Sequence, residues 1–451
     1  MKSLFIQIIR LLTLSLLLLP LASLAQVEKI SYMRPSYFRP YDKTGINTFE
    51  TSKEADPVPF DGLRVRLGAG FTQQFQNLEH KNPNANNGEG ANKLYPIKPG
   101  FMTAQANLYM DVQLADGIRL NLTTYLSSRH HNETWVKGGY IQFDKLPFKG
   151  KFWDELMELA TIKIGHMEIN YGDAHFRRSD GGHTLYNPFM ESYIMDAFAT
   201  EIGGEVFLQK NGFFGMAGMT NGMIKGHIDQ VEKTAVDDNT KRAPSIYGKA
   251  GFDKQLNEKL RVRLSGSYYH NSSSAGSGLT LYSGDRTGSN YQNVMELWKD
   301  NAGNIKASTA MYASGRLNPG FSKKLDAVML NSFVKYGGFE LFGTYETAQG
   351  RTKNETAVRK ASQYAVDGIY RFGKDENLFL GLRYNSANAR LAGQTDDVTV
   401  NRFAIAGGWF IVKNLLLKAE WVDQQYKDFP SIDYRSGGRF KGYVIEAVVG
   451  F

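Results

Sequence analysis

From residue 63 to the C-terminus the chain alternates apolar and polar residues with a period of two, the signature of strands that present one face to an apolar phase and the other to water. Met102, Ala104, Ala106, Leu108, Met110, Val112 and Leu114 oppose Thr103, Gln105, Asn107, Tyr109, Asp111 and Gln113. Leu63, Val65, Leu67, Ala69 and Phe71 likewise oppose Arg64, Arg66 and Gly68. The same alternation predicts strands over 63–75, 101–114, 118–128, 134–143, 161–169, 201–209, 213–219, 245–253, 260–270, 325–336, 339–347, 361–372, 378–385, 400–412, 415–425 and 439–451, about sixteen in all. Residues 151–160 read instead as a short amphipathic helix. Residues 272–320 are either one additional strand pair or a tall loop.

Connections alternate between long and short. Residues 80–100 form a long Asn/Gly-rich loop, whereas Ala115-Asp116-Gly117, Asn211-Gly212, Gly337-Gly338 and Lys413-Asn414 are tight turns. An even strand number with both ends on the short-turn side lets the first strand pair with the last, and closure leaves no edge unpaired in lipid. The expected fold is therefore all-β: a transmembrane, antiparallel, up-and-down β-barrel of about sixteen strands over residues 63–451, with its longer loops facing outward.

Composition agrees. Gly 46, Tyr 24 and Phe 28 against Pro 13 favour strands, turns and aromatic girdles. A mean hydropathy of −0.37 fits a wall that shows lipid only every second residue. Lys2 and Arg10, the apolar run Leu11 to Leu19, Pro20 and Ser23-Leu24-Ala25 compose a secretory signal, so residues 1–25 are expected to be cleaved before Gln26. Their loss lowers the formal charge from +8 to +6, too little and too dispersed to suggest nucleic acid. The absence of cysteine excludes disulfides and a lipidated N-terminal cysteine. Residues 26–62, broken by Pro35, Pro40, Pro57 and Pro59, read as a periplasmic extension or, given their aromatics, a hatch within the pore.

The face opposite the apolar one supplies the lumen. Arg64, Arg66, Arg119, Lys249, Arg261, Arg263, Arg371, Arg383, Arg402 and Lys418 are set against Asp111, Glu201, Glu205, Glu340, Glu346, Asp367, Glu420 and Glu446. A water-filled channel lined by both signs, with bases ahead, is the expectation. The third outer loop, between the fifth and sixth expected strands (Asn170 to Thr200), resembles in position and length the loop that folds into and narrows sixteen-stranded porins, which implies that it folds inward here and forms the constriction. Arg177 and Arg178 would stand there with His175, Asp173, Asp180 and His183, the two acids tempering the arginines by pairing with them.

Two segments carry a resemblance. The terminal strand, with Phe451 at its end and Tyr443 behind it, resembles the insertion signal that outer-membrane barrels present to the barrel assembly machinery. The run Tyr171 to Gly182, YGDAHFRRSDGG, and Tyr186-Asn187-Pro188-Phe189 resemble the porins of the phosphate-selective porin O/P family, particularly their relatives in Bacteroidota. The resemblance implies a porin of the cell outer membrane, surrounded by lipid, assembled as a homotrimer and binding phosphate through basic residues. Arg177 and Arg178 match by loop and type; the family's lysine ladder is not matched here. The function expected is passive diffusion of small hydrophilic solutes with a mild preference for anions, phosphate among them. The rival is a transporter of hydrophobic compounds with the N-terminal segment as hatch. No enzyme is expected, since Tyr269-His270-Asn271-Ser272 matches the His and Ser of barrel phospholipases too loosely. No cofactor or metal is expected either, because His80, His130, His131, His166, His175 and His183 lack ligand spacing.

Overall fold

The computed structural model of the protein describes residues 38–451 except 52, 54–59, 128–133, 223–227, 230–232, 235, 237–239, 276–277, 286 and 307–312. The signal segment 1–25, His130 and His131 lie outside the described residues.

Strands run β1 Arg64–Lys81, β2 Gly100–Phe101, β3 Gln105–Ala115, β4 Ile118–Ser127, β5 Thr134–Phe143, β6 Ala160–Glu168, β7 Thr200–Lys210, β8 Phe213–Thr220, β9 Ser245–Gln255, β10 Leu260–Asn271, β11 Lys324–Tyr336, β12 Phe339–Arg351, β13 Arg359–Phe372, β14 Leu378–Arg390, β15 Asp397–Val412, β16 Leu415–Lys427 and β17 Arg439–Gly450. They form one closed antiparallel sheet. Closure comes from β1, which pairs with β17 from Gly70↔Gly450 to Lys81↔Arg439 and with β3 from Arg64↔Gln113 to Thr72↔Gln105. The two-residue β2 meets β1 at Phe75↔Phe101, leaving sixteen full strands around the wall. The single described α-helix, Lys151–Leu159, stands on the short-turn side before β6.

Two expectations are corrected, and an open one is decided. The strand expected over 101–114 is broken at Met102–Ala104, where the Gln73 amide donates to the Met102 carbonyl at 2.7 Å and takes the place of a ladder bond. Many strands also run further at their outer ends than the apolar alternation suggested, as in β1 to Lys81 and β14 to Arg390. Backbone pairing continues above the lipid, where side chains no longer need to be apolar. Among the described residues 272–320 no strand forms, and Leu281, Tyr282, Tyr291, Val294 and Leu317 are buried. That segment is a tall loop folded over and into the barrel.

The register is as the alternation requires. Leu108 is 52% exposed while its neighbour Asn107 is buried. Tyr345, Tyr364, Tyr384, Phe403, Trp421 and Tyr443 form a row of outward aromatics on successive strands, with rings of neighbours 5.9 Å apart at Tyr364–Tyr384 and 6.4 Å at Phe403–Trp421. A second row, Tyr336, Phe339, Tyr370 and Trp409, marks the short-turn end. Between the rows lie Leu341, Val366, Leu380, Leu382 and Ile405, all exposed. Such a belt is stable only against lipid. At the hairpin between β7 and β8, Asn211 and Gly212 both have positive φ (55° and 89°), the geometry for which Asn-Gly is favoured.

Candidate functional site

The interior is occupied by protein. Among the described residues three segments fill it: residues from 38–51, the inner loop 170–199, and the described part of the loop between β10 and β11. The inner loop leaves and rejoins the wall at one point, where Ile169 N–H donates to the Ala199 carbonyl at 3.1 Å. Gly182 lies so close to β3 that any Cβ would collide with the backbone of Ala106 and Asn107, so only glycine permits this approach.

The lumen charges hold these segments. Asp173 accepts from Arg263 at 2.8 and 2.7 Å and from Ser265 at 2.6 Å, and lies 2.6 Å from Lys249. Lys249 and Arg263 also reach Glu50 of the N-terminal segment, at 2.9 and 2.8 Å. Lys418 donates to the carbonyls of Thr184, Asn187 and Phe189, each at 3.0 Å, and pairs with Glu446 at 2.8 Å. Arg383 grips Asp367 at 2.7 Å through two nitrogens, donates to the Glu191 carbonyl and stacks on Phe189. Arg402 donates to the carbonyls of Ser192 and Gly315 at 2.7 and 2.9 Å.

The constriction expected at Arg177 and Arg178 is therefore revised. Both side chains are buried. Arg177 donates to Asn47 and, at 3.5 Å, to Glu340, and lies over the rings of Phe333 and Phe342. Arg178 pairs with Asp196 and, at 3.4 Å, with Asp285. The expected tempering acids are engaged elsewhere: Asp173 with Arg263, and Asp180 with Lys137. His175 lies 3.0 Å from both Glu168 and Asn170, and His183 Nε2 donates to the Tyr41 carbonyl at 2.7 Å. Burial pushes His183 down to about 4. Burial pushes Asp180 up to about 6, against the pull of Lys137. Glu191 goes the other way: burial raises it, but Arg316, Ser289 and Arg402 outweigh burial and draw it down to about 2.

The expected water-lined wall is revised in the same way. Arg263, Arg371, Arg383 and Arg402 are buried under the plug, with Arg371 on Glu340 at 2.7 Å. Arg119 lies 3.8 Å from Asp144 and under the ring of Phe38, while Arg66 stacks on Tyr41 and lies 3.9 Å from Asp111. Arg261 pairs with Asp253 at 2.7 Å, and Arg64, at the rim, with Asp61 at 2.8 Å. A polar inward face looks the same in sequence whether it receives water or a polar loop.

Open space remains on one side. A cavity of about 280 Å³ lies between the inner loop, the N-terminal segment and the β4–β7 wall. Tyr41, Tyr109, Tyr140, Asp111, Arg119, Lys137, Lys163, His166, Glu168, Arg178 and Asp180 line it. The alternation did not single out Lys137, Lys163 or Glu168. Lys137 sits at a register shift, where β5 steps from Thr123↔Gly138 to Thr124↔Val136, and such a bulge re-aims a side chain that strict alternation would place otherwise. Among the described residues no group of three or more His, Asp or Glu is arranged to hold a metal.

No family model matches the chain, and no curated protein matches it. Among solved structures the barrel is similar to an anion-selective porin from Comamonas acidovorans, with 10% identity, 86% of this chain and 100% of that chain covered, and a TM-score of 0.51. It is also similar to the outer membrane channel DcaP of Acinetobacter baumannii, with 10% identity, 88% and 100% coverage and a TM-score of 0.49. At such identities the likeness is one of architecture: the chain has the closed, sixteen-stranded barrel fold found in outer-membrane porins, with one short extra strand.

Proposed function

We propose that this protein is a porin of the outer membrane, exported with a cleaved signal peptide and assembled as a homotrimer. It conducts small hydrophilic solutes passively, with a mild preference for small anions, phosphate among them, and has no enzymatic activity. The observation that carries this reading is the cavity beside β4–β7, where Arg119, Lys137, Lys163 and Arg178 face Asp111, Glu168 and Asp180. Mixed charge keeps such a space wet, and a small excess of bases inside low-dielectric walls favours anions without trapping them. The likeness to an anion-selective porin and the resemblance of residues 171–189 to phosphate-selective porins support the same reading. One observation favours the rival transporter of hydrophobic compounds: residues 38–51 are seated inside the barrel, with Tyr41 on Asp111 and Glu50 on Lys249. Reversal potentials in planar bilayers under a KCl gradient test the porin reading. A modest anion preference is expected; cation preference, or no conductance under any condition, overturns it.

A further inference from the structure

The wall is not uniformly knit. The β5–β6 ladder runs only from Phe143↔Ile162 to Gly139↔His166. By contrast β4 accompanies β5 up to Leu126↔Thr134, and β7 accompanies β6 up to Glu168↔Thr200. Above Gly139↔His166 the described residues of β5 and β6 share no register pair, so the two strands part beyond that pair. Ile164, whose side chain points outward, is apolar and 55% exposed. His166 and Glu168 continue that outward parity, yet both are polar.

Glu168 shows what the parting does. Its Oε1 lies 3.0 Å from His175 Nδ1, and His175 belongs to the inner loop. A carboxylate of outward parity can touch a loop inside the barrel only where the wall is open. The lining of the cavity agrees, because it combines inward Tyr140 and Lys163 with outward-parity His166, Glu168 and Thr200. Polar backbone at membrane depth is tolerated where it lines a water-filled space.

We propose that the β5–β6 seam is a lateral exit from the cavity, and that it serves an amphiphilic organic anion with one anionic head and a short apolar tail. The proposal rests on the channel reading and adds to its small hydrophilic solutes a second class that leaves the cavity sideways. Lys163 binds the head: it lies 3.4 Å from Glu205, keeps 30% of its side chain exposed, and stands 5.3 Å from the Tyr140 ring. The tail lies along Met167 and passes between the strands into lipid. A wholly hydrophilic anion gains nothing from the seam, and a wholly apolar compound gains nothing from Lys163.

The chain has no cysteine, so Glu168→Cys places a single thiol at the seam of the full-length protein. The probes are octanesulfonate and ethanesulfonate, whose charge is fixed, each tested for block of KCl current in phosphatidylcholine bilayers. Octanesulfonate is expected to block at least tenfold more potently. Coupling a bulky thiosulfonate to the seam thiol should abolish that tenfold preference, so that the two probes block alike, whereas the same label on Val206→Cys, on the intact wall, should leave the preference in place. Lys163→Gln should weaken both probes equally. A preference for octanesulfonate that survives labelling overturns the exit, as does a seam thiol covered by a second copy in the native oligomer. If the protein carries no current, the channel reading fails. The seam is then judged alone by a fluorophore on the Glu168→Cys thiol: quenching by both aqueous iodide and brominated lipid supports it, and quenching by only one or by neither overturns it.

Discussion

Arg178 illustrates how burial changes the meaning of a charge. In an open constriction it would select ions; here it is pinned between Asp196 and Asp285 with its guanidinium 4.0 Å over Phe198. Arg178→Glu would crowd a third carboxylate against these two. Breaking a buried pair by removing one partner costs about 3–5 kcal/mol, enough to favour release of the inner loop. The expected outcome is a several-fold larger single-channel conductance rather than a reversed ion preference at unchanged conductance. His183 gives the same loop a pH dependence. Its pKa falls from the ordinary 6.5 to about 4 on burial, so the folded loop favours the neutral ring. The stability this contributes is full above pH 6.5 and is lost as pH falls from 6.5 towards 4. This term by itself makes open events more frequent across that window. Glu191, drawn down to about 2, adds a further loss as pH falls from about 4.5 towards 2, whereas Asp180, raised to about 6, opposes by gaining as pH falls from 6 to about 4. His183→Gln keeps a donor for the Tyr41 carbonyl, and current recordings of this variant should lose the component between pH 6.5 and 4.

At the scale of the element, period-two alternation carries nearly everything, because lipid on one face and polar matter on the other dictate it residue by residue. The expected strands reappear with the same facing, Leu108 outward and Asn107 inward. Alternation falls short where side chains replace backbone, as Gln73 does at Met102, and where a bulge shifts parity, as at Lys137. The neighbours Leu108 and Asn107 on β3 give a paired prediction. Leu108→Arg faces lipid and should cost about 2–4 kcal/mol of barrel stability in a urea titration. Asn107→Arg should leave that titration nearly unchanged yet raise conductance, because Asn107 donates to Asp180 of the inner loop at 3.1 Å and a longer side chain unseats it. Equal loss of barrel stability would contradict this division. Just beyond β17, Phe451 is 55% exposed while its backbone exchanges hydrogen bonds with Ala69 at 2.9 and 3.0 Å. Phe451→Ala should thus lower the amount assembled in cells while leaving the unfolding midpoint of the assembled fraction in place.

For the whole molecule, the sequence specifies a wall far more legibly than a content. Asp173 with Arg263, Glu191 with Arg316, and Lys418 with three carbonyls of the inner loop join residues 90, 125 and more than 200 positions apart. No local pattern encodes such pairings, and the same lumen arginines would serve an open pore as well as a plugged one. Only the dense chemistry of residues 171–189 marked that loop as special, and only the aromatics before residue 60 hinted at a hatch. The wall and its content are separable because the inner loop leaves and returns at one place, through the Ile169–Ala199 hydrogen bond and the Glu168↔Thr200 pair. Replacing residues 170–198 by a short glycine linker therefore asks little of the β6–β7 ladder, whose register lies wholly in the wall. It removes the inner-loop partners of Lys418 and Arg383 and leaves these side chains, still paired with Glu446 and Asp367 on the wall, facing water, as in an ordinary wide pore. The shortened protein should remain a heat-modifiable β-sheet protein, with a conductance several-fold above the full chain and admission of larger neutral sugars in a liposome-swelling assay. A folded variant with the conductance and size cut-off of the full chain would mean that residues 38–51 and the β10–β11 loop close the pore without the inner loop.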